Sequence, residues 1–334
     1  MDSLTQIVLG AAIGEKILGK KLGNRALFYG AVAGTIPDLD VYVGKFFDPI
    51  TAIEIHRGLS HSILFFVLLS PLLGWVLSKI EKKNRVTFKQ AVIFWFLGLL
   101  THALLDAFTT WGTQLFYPFD IRLSLHSIFV IDPLYTLPFL LCLIMTMRFR
   151  RDHPERQKWN NLGLLVSSSY LLLTVVTQQV VKSKFEKRLS EENIEYIRKI
   201  VKPSPLNIIL WNSIIETEGG YYMGDYSFFD SQPISLDFYP KNKEHIKEFE
   251  EEKVIRQLKW ISEEWWTITH KNHQLFFNDM RFGLISSNRQ NPEFAFSYEL
   301  IREDNSIKAM QVGNKRNGRV KELLVELWKR IKGN

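Results

Sequence analysis

Residues 62–78 read SILFFVLLSPLLGWVLS, an apolar run without one charged side chain. A helix of that composition satisfies its own backbone and is at home in hydrocarbon. Three later runs are also predominantly apolar, at 91–108, 128–147 and 162–181, the first two with one aspartate each, Asp106 and Asp132. About 20 apolar residues cross a bilayer as a helix, so all four are expected to cross or nearly cross one. Pro71 and Pro138 would kink two of them, which neighbouring helices in a bundle tolerate. Two shorter segments come first, 4–18 (LTQIVLGAAIGEKIL) and 26–36 (ALFYGAVAGTI). Gly10, Ala11, Ala12 and Gly14 allow close helix packing there, so short or re-entrant helices against the longer ones are expected.

The net charge of +7 fits either nucleic acid or an anionic membrane. The positions of the charges decide. Lys79, Lys82, Lys83, Arg85 and Lys89 share one loop, and Arg148, Arg150, Arg151, Arg156 and Lys158 another. Basic residues beside apolar runs follow the positive-inside rule, so a multi-pass inner-membrane protein is expected and no nucleic-acid partner. No cleavable signal peptide is expected, because Asp2 precedes the first apolar stretch and Glu15 and Lys16 interrupt it. The single cysteine, Cys142, lies inside an apolar run, which excludes a disulfide framework and a cysteine-based zinc site. With the basic loops in the cytoplasm, Asp38, Asp40, His61, Asp106, His126 and Asp132 all fall towards the outer face.

Beyond residue 181 the composition turns polar. Three regions are expected: a membrane-embedded helical domain at 1–181, a charged helical linker at 182–202, and an extracytoplasmic α+β domain at 203–334. Strand-like runs occupy 206–216, 221–229, 234–239, 265–269, 274–278 and 294–300, with Gly, Asn and Pro punctuation. Helical patterns cover 243–259 and 320–331.

The chemistry concentrates in PDLD (37–40), HRGLSH (56–61) and HALLD (102–106). Imidazole and carboxylate are the ligands of divalent metals at polar sites. His102 and Asp106, four apart, share one helix face. His56 and His61, five apart, are about 140° out of register on a regular helix and converge only if a helix begins between them, which Gly58 permits. Asp38 and Asp40 suit an irregular loop, one as direct ligand and one bridging or supporting. Arg57 and Ser60 lie between the histidines, and a guanidinium there suits a phosphate oxygen. A divalent ion acidifies water enough to make it a nucleophile near neutral pH, and Asp40 could accept the proton. His126 and Asp132 are later candidates, Asp132 as the orienter of a ligand histidine. His153, His245, His270 and His273 are expected to be ordinary loop or domain histidines. Taken singly, Asp38 or Asp40 could cap a helix and His102–Asp106 be a plain hydrogen-bonded pair.

The motifs MDSLTQIVLGAAIGE, GTIPDLD, HRGLSHS, THALLDAFTTWGT and IDPLY, in this order, resemble the bacterial inner-membrane metal-dependent hydrolases of the YdjM-like group. The resemblance covers roughly residues 1–180, and LNIILWNSIIETEGGYYMGDYS looks like the C-terminal extension of many members. That group is distantly similar to zinc-dependent phospholipase C and the P1-type nucleases. The resemblance implies metal roles for Asp38, His56, His61, His102 and Asp106, with Asp40 as ligand or base. It implies one to two divalent ions, zinc before manganese. Gln6 stands where some relatives carry histidine, and the chain has one full HxxxD motif.

The leading expectation is a membrane-bound hydrolase cleaving a phosphoester of a lipid or envelope-derived substrate, its outer domain covering or gating the site. The alternative is a non-catalytic membrane regulator or binding protein whose polar cluster is structural. A transporter fits less well, since its charged groups would lie near the midplane.

Overall fold

In the computed structural model, residues 1–271, 273–285, 292–303, 306–313 and 319–334 are described. The chain divides into two compact units: Met1–Phe46 with Ile55–Val176 and Pro205–Asn207, and Phe47–Glu54 with Thr177–Ser204 and Ile208–Asn334.

The first unit is helical. Asp2 caps α1 (Ser3–Leu22) by accepting from the Thr5 amide, and α2 (Asn24–Ala33) folds back along it. The small residues set how near the two approach. A Cβ at Gly10 would overlap the Gly30 carbonyl oxygen, one at Gly14 that of Ala26, and one at Gly34 that of Gln6. The close packing expected from Gly10, Ala11, Ala12 and Gly14 is present, and α1 runs longer than anticipated.

A 3₁₀ turn at Pro37–Leu39 leads into the short α3 (Asp40–Gly44), and α4 (Pro49–Ile55) follows. Another 3₁₀ turn, Leu59–His61, precedes α5 (Ile63–Ile80), capped by the Ser62 hydroxyl. Thr87 and Gln90 form a capping box that starts α6 (Phe88–Ala107). Helices α7 (Pro133–Arg148) and α8 (Pro154–Glu191) follow.

Among the described residues, three helices, α5, α6 and α8, are long and apolar enough to cross a membrane; α7 has 16 residues. At 1.5 Å per residue it is about 24 Å long, short of a hydrocarbon core of about 30 Å. The run at 128–147 becomes helical only at Pro133, because Asp132 accepts from the Leu134 and Tyr135 amides and fixes the helix start.

The unit has two chemically distinct ends. At one, Lys21 donates to the Arg85 carbonyl and the Gln90 side chain, Arg151 donates to the Lys21 carbonyl, and Arg25 pairs with Glu81. The basic loops therefore converge. His102 lies fourteen residues along α6 from Phe88, about 21 Å away, at the other end.

The second unit holds two four-stranded antiparallel meanders. One runs β1 (Arg198–Pro203), β2 (Leu210–Glu216), β3 (Gly220–Ser227), β4 (Asp237–Pro240); the other β5 (Trp266–Lys271), β6 (Gln274–Asp279), β7 (Ser297–Glu303), β8 (Ser306–Gln311). Ile200 pairs with Ile214 and Ile214 with Met223, which carries an apolar face across three strands. Helix α9 (Lys253–Ile261) places Ile255, Leu258 and Ile261 in a core with Trp266, Phe277 and Tyr298. Ile50 of α4 is buried in the same core, and Gln257 bonds to Thr51 and Glu54. Helix α10 (Val320–Ile331) closes the chain.

Two expectations change here. Of residues 182–202, the helix ends at Glu191 and Arg198–Pro203 is strand β1, paired residue for residue with β2. The helical pattern at 243–259 resolves into a 3₁₀ segment, Lys243–Phe249, and α9.

Candidate metal centre

His102 and Asp106 project from one face of α6, fully buried. The His102 ring is set by its other nitrogen: Nδ1 donates to the Gly34 carbonyl at 2.8 Å. That acceptor is in reach because Gly34, lacking a Cβ, lies directly against the Gln6 backbone. His61 arrives from the 3₁₀ turn before α5, and Asp38 from the turn before α3.

These four side chains each offer one ligand atom, all within 4.8 Å of one another. His61 Nε2 lies 3.4 Å from Asp38 Oδ1 and 3.5 Å from Asp106 Oδ2; His102 Nε2 lies 3.4 and 3.5 Å from the same two oxygens. A tetrahedral ion with bonds of about 2.1 Å holds its ligand atoms about 3.4 Å apart. The four imidazole–carboxylate separations match. Both Nε2 atoms and Asp106 Oδ2 are buried without a hydrogen-bond partner, so these separations are not hydrogen bonds.

The proton inventory points the same way. The Ser60 hydroxyl donates its one proton to Asp40 Oδ2 at 2.7 Å, so towards His61 Nδ1, 2.9 Å away, it accepts. His61 therefore carries its proton on Nδ1, as His102 does. Each ring turns its Nε2 to the centre, where two carboxylate oxygens also face. Two imidazole nitrogens and two carboxylate oxygens around one point could hold a cation. Asp38 is 26% exposed and the other three side chains are fully buried, so the centre opens to the outside past Asp38. Burial opposes ionisation of Asp38, but the facing His102 and His61 imidazoles prevail and hold its carboxyl well below the usual range.

Asp40 and His56 stand beside this group, not among the four. Asp40 accepts from His56 Nδ1 at 2.9 Å, the Arg57 amide at 3.1 Å and Ser60. His56 and His61 rings are 6.0 Å apart. The convergence of His56 and His61 expected at Gly58 comes about with Arg57 at φ 62°, left-handed, and a 3₁₀ turn following. Arg57 sends Nη1 to the Thr109 hydroxyl at 3.1 Å and Nε to within 3.3 Å of Asp106 Oδ2. It faces a ligand carboxylate, where sequence suggested a phosphate.

His126 lies beside Ser124, whose hydroxyl is 3.3 Å from either ring nitrogen. Asp132 caps α7 and accepts from Tyr170 at 2.9 Å; the expected link to a ligand histidine is replaced by these contacts. Gln6, at the position where some relatives carry histidine, donates Nε2 to Asp106 Oδ1 at 3.0 Å and to the His102 carbonyl. Two participants were missed: the Met1 amino group, which pairs with Asp106, and Thr109, which holds Arg57.

The YdjM inner membrane protein family matches residues 1–181, the stretch that carries every one of these groups. The chain belongs to that family. Among relatives, "Uncharacterized protein YfhP" of Bacillus subtilis (strain 168) is 23% identical over 235 residues, covering 67% of this chain and 68% of that protein. "Inner membrane protein YbcI" of Escherichia coli (strain K12) is 31% identical over 106 residues, 32% of this chain. The chain spans 57% of YbcI. No solved structure matches. None of these comparisons shows the expected similarity to zinc-dependent phospholipase C and the P1-type nucleases. In this member of the YdjM family, a buried His/Asp cluster at one end of the helical unit could hold a metal ion.

Proposed function

We propose that this YdjM-family protein is a membrane-bound, metal-dependent hydrolase of phosphoesters. The reading is supported above all by the four inward-facing acceptors of Asp38, His61, His102 and Asp106, spaced as ligands of one ion. Two imidazoles and two carboxylates suit zinc, and manganese next. When bound, such an ion supplies Lewis acidity and a water acidic enough to attack a phosphoester near neutral pH. The chain's own residues do the rest. Gly34 and Ser60 fix the tautomers of His102 and His61, Asp40 holds Ser60 and His56, and Gln6 and Arg57 hold Asp106. Asp38, the exposed member, marks the side from which substrate enters. By the positive-inside rule the basic end is cytoplasmic, so this centre faces outward.

The test is elemental analysis of detergent-purified protein with hydrolysis of bis(p-nitrophenyl) phosphate. Roughly stoichiometric zinc or manganese and measurable hydrolysis are expected, both lost in His102→Ala. Full metal retained in His102→Ala and in Asp106→Ala would sink the assignment.

One observation favours a second reading. The Met1 amino group and Arg57 both face Asp106, so two cations already stand against the carboxylates. A charge-balanced, metal-free cluster would make the protein a non-catalytic regulator. Metal-replete expression that yields no bound metal would decide for it.

A further inference from the structure

A groove of about 250 Å³ is walled by Ile7, Ala31, Val32, Thr35, Ile36 and Leu39. Its walls are the chain neighbours of the centre. Ile7 follows Gln6, which binds Asp106; Thr35 follows Gly34, which binds His102; Leu39 lies between Asp38 and Asp40. The lining is apolar in effect as well as in name, since the one hydroxyl, on Thr35, is spent on the Ala31 carbonyl at 2.9 Å. A polar headgroup would find no donor there. The volume falls below the roughly 300–1,000 Å³ of pockets that enclose a whole drug-sized ligand, which leaves room for part of one chain.

The segments that wall the groove also expose large apolar side chains: Leu4 on α1, Phe28 on α2, and Val41, Tyr42, Val43 and Phe46 just past Leu39 in sequence. Exposed apolar surface of this extent marks a membrane or partner contact. Its unit also carries α5 and α6, whose lengths and compositions suit the bilayer. We propose that this groove seats one acyl chain of a membrane phospholipid and so presents the headgroup phosphate at the Asp38 opening. The proposal rests on the hydrolase reading for its consequence and names the substrate class, a bilayer phospholipid.

The experiment uses the full chain in phosphatidylglycerol nanodiscs doped with phosphatidylglycerol carrying a diazirine midway along one acyl chain. After irradiation, adducts are mapped by mass spectrometry. Labelling of Ile7, Ala31, Ile36 and Leu39 is expected to exceed, several-fold, that of Leu68 and Leu72, exposed on α5, which report bulk lipid. Ala31→Phe, which fills the groove, should bring the excess down to the Leu68 level with metal content unchanged. If Ala31→Phe does not fold, Leu39→Ser at an exposed position should lower the excess in the same direction. Equal labelling of groove and α5 in wild type, an excess that survives these substitutions, or protein–protein adducts from a second copy in place of lipid would each overturn the proposal. Metal content and bis(p-nitrophenyl) phosphate cleavage report the hydrolase reading separately. Their loss with groove labelling intact removes the enzyme and keeps the chain seat; the converse removes the seat and keeps the enzyme.

Discussion

Both units bury charge, but they treat it differently. In the second unit, Arg281 is fully buried and saturated, with Asp279 on Nε and Nη2 and Glu263 on Nη1. Glu216 is held between Lys241 at 2.7 Å and Arg198 at 2.5 Å. Donor meets acceptor in each case, and nothing further is called for. In the first unit, His61 Nε2, His102 Nε2 and Asp106 Oδ2 converge on one point, each buried without a hydrogen-bond partner. A buried charged group left unmatched costs several kcal/mol, and although the Met1 amino group and Arg57 face Asp106, the inward atoms themselves stay without a hydrogen bond. Paired charge reads as structure; converging unpaired acceptors read as a site.

The largest expected effect tests that distinction directly. His102→Ala removes a ligand atom, and metal affinity should fall well beyond the roughly 10–100-fold that loss of a supporting partner costs. Asp40→Asn, which disturbs the Ser60, His56 and Arg57 amide contacts, should fall within that range. Metal titration of the two variants by competition with a chelating dye checks the order. An equal loss in both would place Asp40 among the ligands and erase the boundary drawn here.

Lys202 is the place where the second unit departs from its own rule. It is 7% exposed, and among the described residues it has no ion-pair partner. Burial pushes its ammonium from 10.5 down to about 7. The folded unit therefore binds fewer protons than the unfolded chain between about pH 7 and 10.5, and its stability should rise with pH across that window. Lys202→Met should stabilise the unit near neutral pH by on the order of a few kcal/mol and flatten the profile. Urea unfolding followed by tryptophan fluorescence measures both. A slope that persists in the variant would assign it to another group.

The next effect sharpens where the units divide. Ile50→Ala should cost the second unit about 2–5 kcal/mol, as for other buried isoleucines truncated to alanine. The metal titration of the first unit serves as its comparison. If Ile50→Ala leaves the unfolding of the β-rich unit unchanged, α4 does not belong to its core.

Much of this was legible because the informative features are local. The run at 62–78, the small residues of α1 and the amphipathic pattern at 320–331 each specify an element within one stretch of chain. The metal-site motifs were legible for another reason: His, Asp and Arg at a membrane edge have few uses. The partner supplied from afar was not. Met1 meets Asp106 across 105 residues of sequence, and its residue type does not announce a site. Strand β8 was missed because SIKAMQ has no run of β-branched or aromatic residues and is held in register by β7. The placing of Phe47–Glu54 in the second unit is a tertiary fact with no compositional mark.

Asp132 shows a case where the signal was present and a bolder reading was preferred. In IDPLY, Asp followed by Pro is the ordinary start of a helix: the carboxylate accepts from free amides, and proline fills the first helical position without a donor to waste. The structure shows those contacts, together with the Tyr170 hydroxyl. Asp132→Ala should therefore cost about 0.5–2 kcal/mol of stability, the value of a lost cap, and leave metal affinity as it was. Asp132→Asn, which can still accept from the Leu134 amide, should recover most of that loss. A fall in metal affinity in Asp132→Ala that Asp132→Asn does not restore would mean that the carboxylate charge reaches the centre after all, and the Tyr170 contact would be the first link to examine.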